Sequence, residues 1–543
     1  MNHYRKVSIE DQALFNQTIR KLPFYQDYLS SELVFLNLLA WSKDECIEIM
    51  WKDEIGYIRC LKHDVLWFFP PVASSIELLI MGINHIKTYY PTSRIIGITE
   101  AMKKYLDLPD TLFLLDDKLS EYIYDTNEFI QMKGQAYHRK RNLISQFIKK
   151  YSYRFLRYQK EMKSLLLDFI ERYKNQGGAI DDLDAFYKTL SLLDQGLDYQ
   201  CYVLKVDNLI VGVTIGIITE SNIGIVLFEK ADYTFIGSYQ MISYQMASQV
   251  FSETRFLNRQ EDVGLPELRR AKLSYQPLYK DTKYALHFNP LMIKSYALYE
   301  EAFPEDSKAY RDYFFLHHHK ENNMRYILED GFMKACLHIK INSYKYVDKV
   351  IEIPLIVGAA TAKSYRRQGY MKRLLDAFIQ ECKIKNIPWI VLKTEIPRVY
   401  QASGFIPVGR MEKVGHYEKL ENCQIEQTSN MTLLKSIYDT YFMDKPHDIR
   451  DVTYFQDLVY ALSLEGYETY IIKHDKEILG YVIDKDGSVE EMLLLKKVNP
   501  IIKDRDYKDI YVPSDKGIPS HMIYPIDPDL DHHLVEMTFM NQY

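Results

Sequence analysis

Residues 359–378 read AATAKSYRRQGYMKRLLDAF: two arginines and a glycine between a small apolar run and an amphipathic one. The preceding VIEIPLIVGAAT has the β-branched, apolar content of a strand, and the spacing predicts a helix beginning near Gln368 to Tyr370. A helix N-terminus presents unpaired backbone N–H groups and a partial positive charge, which makes it an anion site before any side chain is counted. Gly369 carries no Cβ, so a ligand can approach the backbone there. Arg366 and Arg367 add fixed charge with forked donors suited to phosphate. The chemistry this junction suits is the holding of a pyrophosphate. The plainer alternative is a polar helix start with solvated arginines. Met371, Leu374, Leu375 and Phe378 follow at i, i+3, i+4, i+7 and supply the stripe that buries the helix.

The surrounding elements must position that junction. MRYILED and MKACLHIKI read as strands joined by a short turn, and PWIVLKT as a strand after the helix. YQASGFIPV reads as a short helix running into a strand, and ALYEEAFPEDSKAYRDYFFLHHH as helices ahead of them all. Toward the amino terminus, IEIMW, YIRCL and RIIGIT read as strands. YQCYVLKVDNLIVGVTIGIIT reads as two strands about a turn at Asp207 and Asn208, and SYQMISYQMASQVF as a helix. After residue 420 the rhythm returns more weakly: helices at TLLKSIYDTYF and YFQDLVYALSLEG, strands at ETYIIKHD and EILGYVIDKD, then a polar, proline-bearing tail. Strands and helices alternating throughout predict an α/β (α+β layered) fold, with mixed sheets flanked by helices.

The 543 residues suffice for several cores, and 47% apolar with 26% charged residues is a soluble globular composition. A net charge of −6 disfavours wholesale coating of nucleic acid or an anionic membrane, though local basic patches remain compatible with it. The 45 tyrosines have no functional account. Cys46, Cys60, Cys201, Cys336, Cys382 and Cys423 form no CxxC pair and read as scattered core thiols, reduced in the cytoplasm. MNHYRKVSIEDQ is too polar for a signal peptide, and no apolar run is long enough for a transmembrane helix. His317, His318 and His319 are consecutive, so on a helix their side chains diverge; no other ligand pattern accompanies them and no metal is expected.

The 359–378 segment resembles motif A of the GNAT N-acyltransferases, Arg/Gln-x-x-Gly-x-Gly/Ala. Arg366 and Gly369 match; Met371 departs at the last position and takes more room. AFPEDSKAYRDYFF, PLIVGAATAKSYRRQGYMKRLL and VYQASGF stand in the order and spacing of the Eis-like (enhanced intracellular survival) branch over residues 287 to 410. The resemblance implies an acetyl-CoA donor. Pantetheine would pair with free backbone groups at Gly358, Ala359 and Ala360, and pyrophosphate would rest on the amides from Arg366 through Arg367, Gln368, Gly369 and Tyr370 to Met371. Tyr400 matches the tyrosine that protonates the departing thiolate, a core tyrosine being the plainer alternative. Backbone N–H groups would polarise the thioester carbonyl. The base implied for this branch is the chain-terminal carboxylate, here that of Tyr543, with Glu352 and Glu395 as alternatives. The acceptor is a small-molecule or peptide amine.

EYIYDTNEFIQMKGQAYHRKRNLISQF and the pair FEKADYTFIGSYQ and FLNRQEDVGLPELRRAKLSYQPLY resemble the family named after the C-terminal domain of phosphatidylglycerol lysyltransferase, over residues 1 to 285. The resemblance implies two GNAT-like lobes, as in Fem-type aminoacyl transferases; some members take aminoacyl-tRNA as donor. Lys133, His138, Arg139, Lys140, Arg141, Lys149 and Lys150 then become candidates for tRNA phosphates or a lipid headgroup, against an ordinary solvated basic face. Glu261, Asp262 and Arg269 become candidates to line an amine pocket, against ordinary salt bridging. The expected organisation is residues 1–285 as that domain, 286–420 as a GNAT lobe, and 421–543 as a degenerate second lobe with a tail. Tandem lobes can bury their faces within one chain or in a homo-oligomer. Three functions stay open: acyl-CoA-dependent transfer to an amine, aminoacyl transfer by the first half, and a catalytically degenerate CoA-binding sensor.

Overall fold

The computed structural model describes residues 3–42, 46–62, 65–178, 180–346, 349–394, 396–443, 445–503, 505–513 and 518–526. Two compact units form, one from Met1–Val263 with Glu267–Asn289, the other from Gly264–Pro266 with Pro290–Tyr543. Each holds two mixed sheets flanked by helices, the layered α/β arrangement that alternating strands and helices predict.

In the first unit, one seven-stranded sheet is centred on Val65–Phe68 and Arg94–Thr99, and the other on Phe256–Asn258 and Ile223–Ala231. Asp207 adopts a positive φ of 52° in the turn between Gln200–Val206 and Leu209–Ile218, as a tight hairpin of this kind requires. Lys283 is buried and satisfied by Glu121 at 2.9 Å and by Glu32. A buried lysine of this kind persists only when so paired. Asp262 is likewise buried; it accepts from Tyr122 Oη at 2.6 Å and from Arg269 Nε at 2.8 Å.

The second unit carries an eight-stranded sheet. Its strands are β1 (Met324–Glu329), β2 (Phe332–Tyr346), β3 (Lys349–Thr361), β4 (Trp389–Lys393), β5 (Ile406–Lys413), β6 (His447–Asp448), β7 (Tyr511–Pro513) and β8 (Ile518–Pro525), in the order β1-β2-β3-β4-β8-β5-β7, with β6 on β2. Helices α1 (Pro290–Ala302) and α2 (Lys308–His317) precede them, α3 (Tyr370–Ile384) joins β3 to β4, and α4 (Pro397–Gln401) lies between β4 and β5. Leu374, Leu375 and Phe378 bury α3 against Ile356, Ile390 and Leu392, with Met371 half-buried beside them.

Part of the expected polar tail is a strand: β8 lies between β4 and β5, antiparallel to both, while residues 527–543 lie outside the described residues. Apolar Met522 and Ile523 alternate across the sheet there, one into each face's core, which is why IPSHMIYP is retained as a strand despite its prolines. Residues between β5 and β8 build a five-stranded sheet, ordered Ser488–Leu494, Glu477–Lys485, Glu468–His474, Glu418–Gln427, Val498–Ile502. Helices Met431–Phe442 and Val452–Leu464 cover it. This lobe is thus an insertion between two neighbouring segments of the larger sheet.

Candidate active site

β3 and β4 run parallel, but their pairing consists of Leu355↔Val391 and Ile356↔Leu392 and goes no further among the described residues. Beyond Ile356 the two strands part. On its other edge β3 changes register against β2: Cys336 pairs Ala360 while His338 pairs Val357. Gly358 and Ala359 therefore stand against Leu337 alone, a β-bulge of the kind that re-aims backbone groups. Gly358 has φ +56°, and a Cβ there would lie 3.0 Å from the Tyr299 ring and 3.2 Å from His338 Nδ1. Glycine is thus needed twice over, for the dihedral and for the space. Ala359 is half-buried, and Ala360 is packed against Leu298 and Met333.

The chain then turns to α3. Arg366 donates from Nε to the Thr361 carbonyl at 3.1 Å, and Gln368 donates to the Ser364 carbonyl at 2.9 Å, which shapes the turn from within. Arg367 adopts φ +61° and Gly369 φ +82°. Gly369 is the N-cap, no side chain caps the helix, and no acidic residue stands in its first turn. A Cβ at Gly369 would meet nothing within 4 Å. Arg366 and Arg367 are exposed beside that open space. Tyr370 is pinned by its hydroxyl to Glu329 at 3.1 Å. The turn thus offers uncapped amides, two guanidinium groups and room, the physical requirements for an anion.

Tyr400, on α4, is half-buried, with its ring 5.9 Å from Phe405 on the α3 side of the sheet. Burial raises its pKa, so the phenol stays protonated at neutral pH. Of the candidate bases, Glu395 and Tyr543 lie outside the described residues. Glu352 is exposed near the far end of β3, on the order of 20 Å from Gly358 at strand rise.

Sequence reasoning missed what lies on the opposite face. His338 is buried beneath the Gly358 bulge, with its Nε2 3.1 Å from His319 Nδ1. Burial first, and then His319, push the His338 pKa down to about 3, so the ring is neutral. His319 therefore serves a histidine pair; among the described residues no three His, Cys, Asp or Glu side chains are placed to hold a metal. The alternation of His338 and Lys340 in KACLHIKI was the available signal for a polar face. Five cysteines are buried as expected, but Cys46 is exposed.

In the first unit, Lys133, His138, Arg139, Arg141, Lys149 and Lys150 are exposed. Lys140 is half-buried, donates to Ser274 Oγ at 2.6 Å and lies 4.0 Å over the Tyr275 ring. Burial, then Arg259, lowers its pKa to about 8. Asp262 and Arg269 pair with each other, and Arg269 also pairs with Asp117, while the Glu261 carbonyl accepts from Lys272. They form a structural ion network with Lys280.

Residues 35–287 match the family described as phosphatidylglycerol lysyltransferase, C-terminal, and residues 292–408 match the acetyltransferase (GNAT) domain. Solved structures similar to the chain include a conserved protein of unknown function from Bacteroides thetaiotaomicron, at 25% identity over 53% of this chain and 99% of that one, TM-score 0.46. L-PGS from Bacillus licheniformis is 11% identical over 52% of this chain and 93% of its own, TM-score 0.38. Eis1 from Mycobacterium abscessus is 8% identical over 44% and 72%, TM-score 0.30. No curated protein matches the chain. No helix among the described residues is long and apolar enough to cross a membrane.

Proposed function

We propose, for a chain that carries a phosphatidylglycerol lysyltransferase C-terminal domain followed by a GNAT acyltransferase domain, that the GNAT domain transfers an acetyl group from acetyl-CoA to an amine. The observation that carries this reading is the open, uncapped turn at Gly369, placed directly after a strand that parts from its neighbour beyond Ile356. Pyrophosphate rests on the amides from Arg366 to Met371, with Arg366 and Arg367 supplying charge while Gln368 and Tyr370 hold the turn. Pantetheine runs along Gly358, Ala359 and Ala360 in the opening between β3 and β4. The amine attacks the thioester carbonyl directly, and the Tyr400 phenol returns a proton to the departing thiolate. The bulge amides polarise the carbonyl.

Calorimetric titration of acetyl-CoA into the intact protein and into Gly369→Glu tests this reading. Binding by the first and its loss in the second is the expected result; equal binding by both removes the donor from this turn. Binding without product across an amine screen would make the domain a CoA sensor.

The family match at 35–287 favours a second activity, aminoacyl transfer from tRNA to a lipid or peptide amine by the first unit. The exposed cations at 133–150 are its phosphate contacts. Salt-sensitive tRNA binding supports it, and no binding at low salt removes it.

A further inference from the structure

On the face of the sheet opposite α3, the point where β3 and β4 part is lined by one row of side chains. His338 pairs Val357, and Lys393 at the end of β4 pairs His521 of β8. Continued one step past Ile356↔Leu392, the parallel register would set Val357 against Lys393. The row His338, Val357, Lys393, His521 therefore crosses the mouth of the opening. An acceptor reaching a thioester held at the Gly358 bulge, with α3 behind it, arrives over this row.

Glu490 of the inserted lobe reaches this row at Lys393. Strand Ser488–Leu494 carries Glu490, whose Oε1 is 3.8 Å from Lys393 Nζ, an ion pair with the cation at the end of β4. The Glu490 side chain is 22% exposed, largely desolvated yet reachable. Its neighbour Glu491 is committed elsewhere: Arg450 Nη1 holds both its oxygens at 3.0 Å and Tyr481 Oη donates at 2.7 Å. Arg450 also grips Asp448 at 2.8 Å, and Asp448 pairs with Tyr344 of β2. The strand bearing Glu490 is thereby tied to the sheet whose opening Glu490 faces. A fixed, poorly solvated carboxylate beside a reaction path is the arrangement a general base needs.

Resting on the acyl-CoA reading above, we propose that Glu490 is the general base of the transfer, taking the proton of the acceptor ammonium at the mouth between β3 and β4. The neutral amine then attacks the thioester carbonyl carbon. The C–N bond forms, the C–S bond breaks, and its electron pair leaves on sulfur. Tyr400 protonates the thiolate, the second N–H proton lost as the amide forms restores the Tyr400 phenol, and Glu490 releases its proton to solvent. The products are amide, CoA thiol and one proton. Burial and Glu491 raise the Glu490 pKa, while Lys393 opposes them. Tyr310 of α2 also senses Glu490, with Glu465 beside Tyr310, while Lys393 faces His521, which burial keeps neutral in the company of Asp448 and Arg450.

The test compares wild type and Glu490→Gln with two amines across pH. n-Butylamine is an ammonium at neutral pH and needs a base; hydroxylamine is already unprotonated there and does not. Glu490→Gln is expected to lower kcat/KM for butylamine by about 100-fold and to flatten the acid limb of its pH profile. Hydroxylamine turnover should fall far less, and acetyl-CoA affinity should stay unchanged. Glu490→Asp should restore part of the butylamine rate. Equal losses for both amines, or an unchanged pH profile, overturn the proposal. Loss of acetyl-CoA binding in wild type would instead overturn the donor reading, and the base with it. If Glu490→Gln fails to fold, Lys393→Met serves. Removing that cation should move the acid limb to higher pH while turnover continues, and an unmoved limb counts against Glu490.

Discussion

Two glycines at equivalent turns, Gly237 in the first unit and Gly369 in the second, have almost the same backbone and opposite surroundings. Each is a left-handed N-cap, with φ +84° and +82°, and neither helix receives a side-chain cap. Each follows a strand that runs parallel to a neighbour only briefly: Ile223 to Ile225 against Phe256 to Asn258, and Leu355 and Ile356 against Val391 and Leu392. A Cβ at Gly369 would meet nothing, whereas one at Gly237 would fall 2.3 Å from the Leu143 carbonyl oxygen and 3.3 Å from Phe147 Cβ. Helix His138–Lys150 fills the space that stands open in the second unit. The strand opening is bridged too, by Arg259 Nη2 to Glu229 at 2.9 Å. The turn alone is therefore not a binding site. A site also needs open space in front of its amides, which is why the proposed CoA site is assigned to Gly369 and not to Gly237.

That contrast yields paired variants with the largest expected effects. Gly237→Ala combines a left-handed backbone, costing ~1–2 kcal/mol for a residue with a Cβ, with overpacking of ~1–3 kcal/mol against a carbonyl that cannot rotate away. Thermal melts should show the loss, while acetyl-CoA affinity of the folded protein should be retained. Gly369→Glu should weaken acetyl-CoA by at least ~100-fold, about 3 kcal/mol, by filling the cradle with a like charge. Its melting temperature should fall much less than that of Gly237→Ala. If the two variants behave alike, the open and filled turns are not functionally different.

Next in size is Arg450→Met. Arg450 is buried between Asp448 and Glu491, and removing it leaves two buried carboxylates without their cation, a loss of about 3–5 kcal/mol. Urea unfolding should show a lower midpoint, and butylamine transfer should fall because Glu490 loses its anchor. Smaller again is Arg366→Ala. The guanidinium is exposed and donates to the Thr361 carbonyl, so its phosphate contact should contribute about 1 kcal/mol, roughly a fivefold change in Kd. The change should shrink as salt rises, whereas the Gly369→Glu effect, part of it steric, should shrink by a smaller share.

The open turn was legible because its determinants are local. A glycine, the absence of an N-cap side chain and the Leu374, Leu375, Phe378 stripe all lie within a few residues of one another. The filled turn was not legible, since the blocking atom is a backbone carbonyl far upstream, at Leu143. β8 was missed for a related reason: only long-range pairing with β4 and β5 makes a strand of IPSHMIYP, and its prolines argue locally for a tail. Glu490 carries no local mark, and its neighbourhood depends on the insertion between β5 and β8. The Glu261, Asp262 and Arg269 cluster reads alike in sequence as pocket or ion network. Only the burial of Asp262 against Tyr122 and Arg269 shows the network.

The smallest effect concerns how the helix of the open turn is held. Where helix Ser238–Gln245 meets protein directly at its N-terminus, α3 is tied to β1 by a forked pair, Arg325 to Glu381 at 2.7 and 2.6 Å. That bond, with Lys385 at 2.7 Å, holds the Glu381 pKa at about 2, below the ordinary 4.5. A depressed carboxylate stabilises the fold above its unfolded pKa, and that stability is lost as pH falls through the folded value. The window is therefore from about pH 4.5 down to 2. Glu381 is 29% exposed, so solvent screening limits the contribution to roughly 1 kcal/mol. Melting curves at pH 5, 4, 3 and 2 should show wild type losing its advantage over Glu381→Gln across that window. Both proteins should bind acetyl-CoA equally at pH 7, because the pair anchors the helix away from the turn. A difference in melting temperature that persists at pH 2 would mean that Glu381 acts through packing instead of charge.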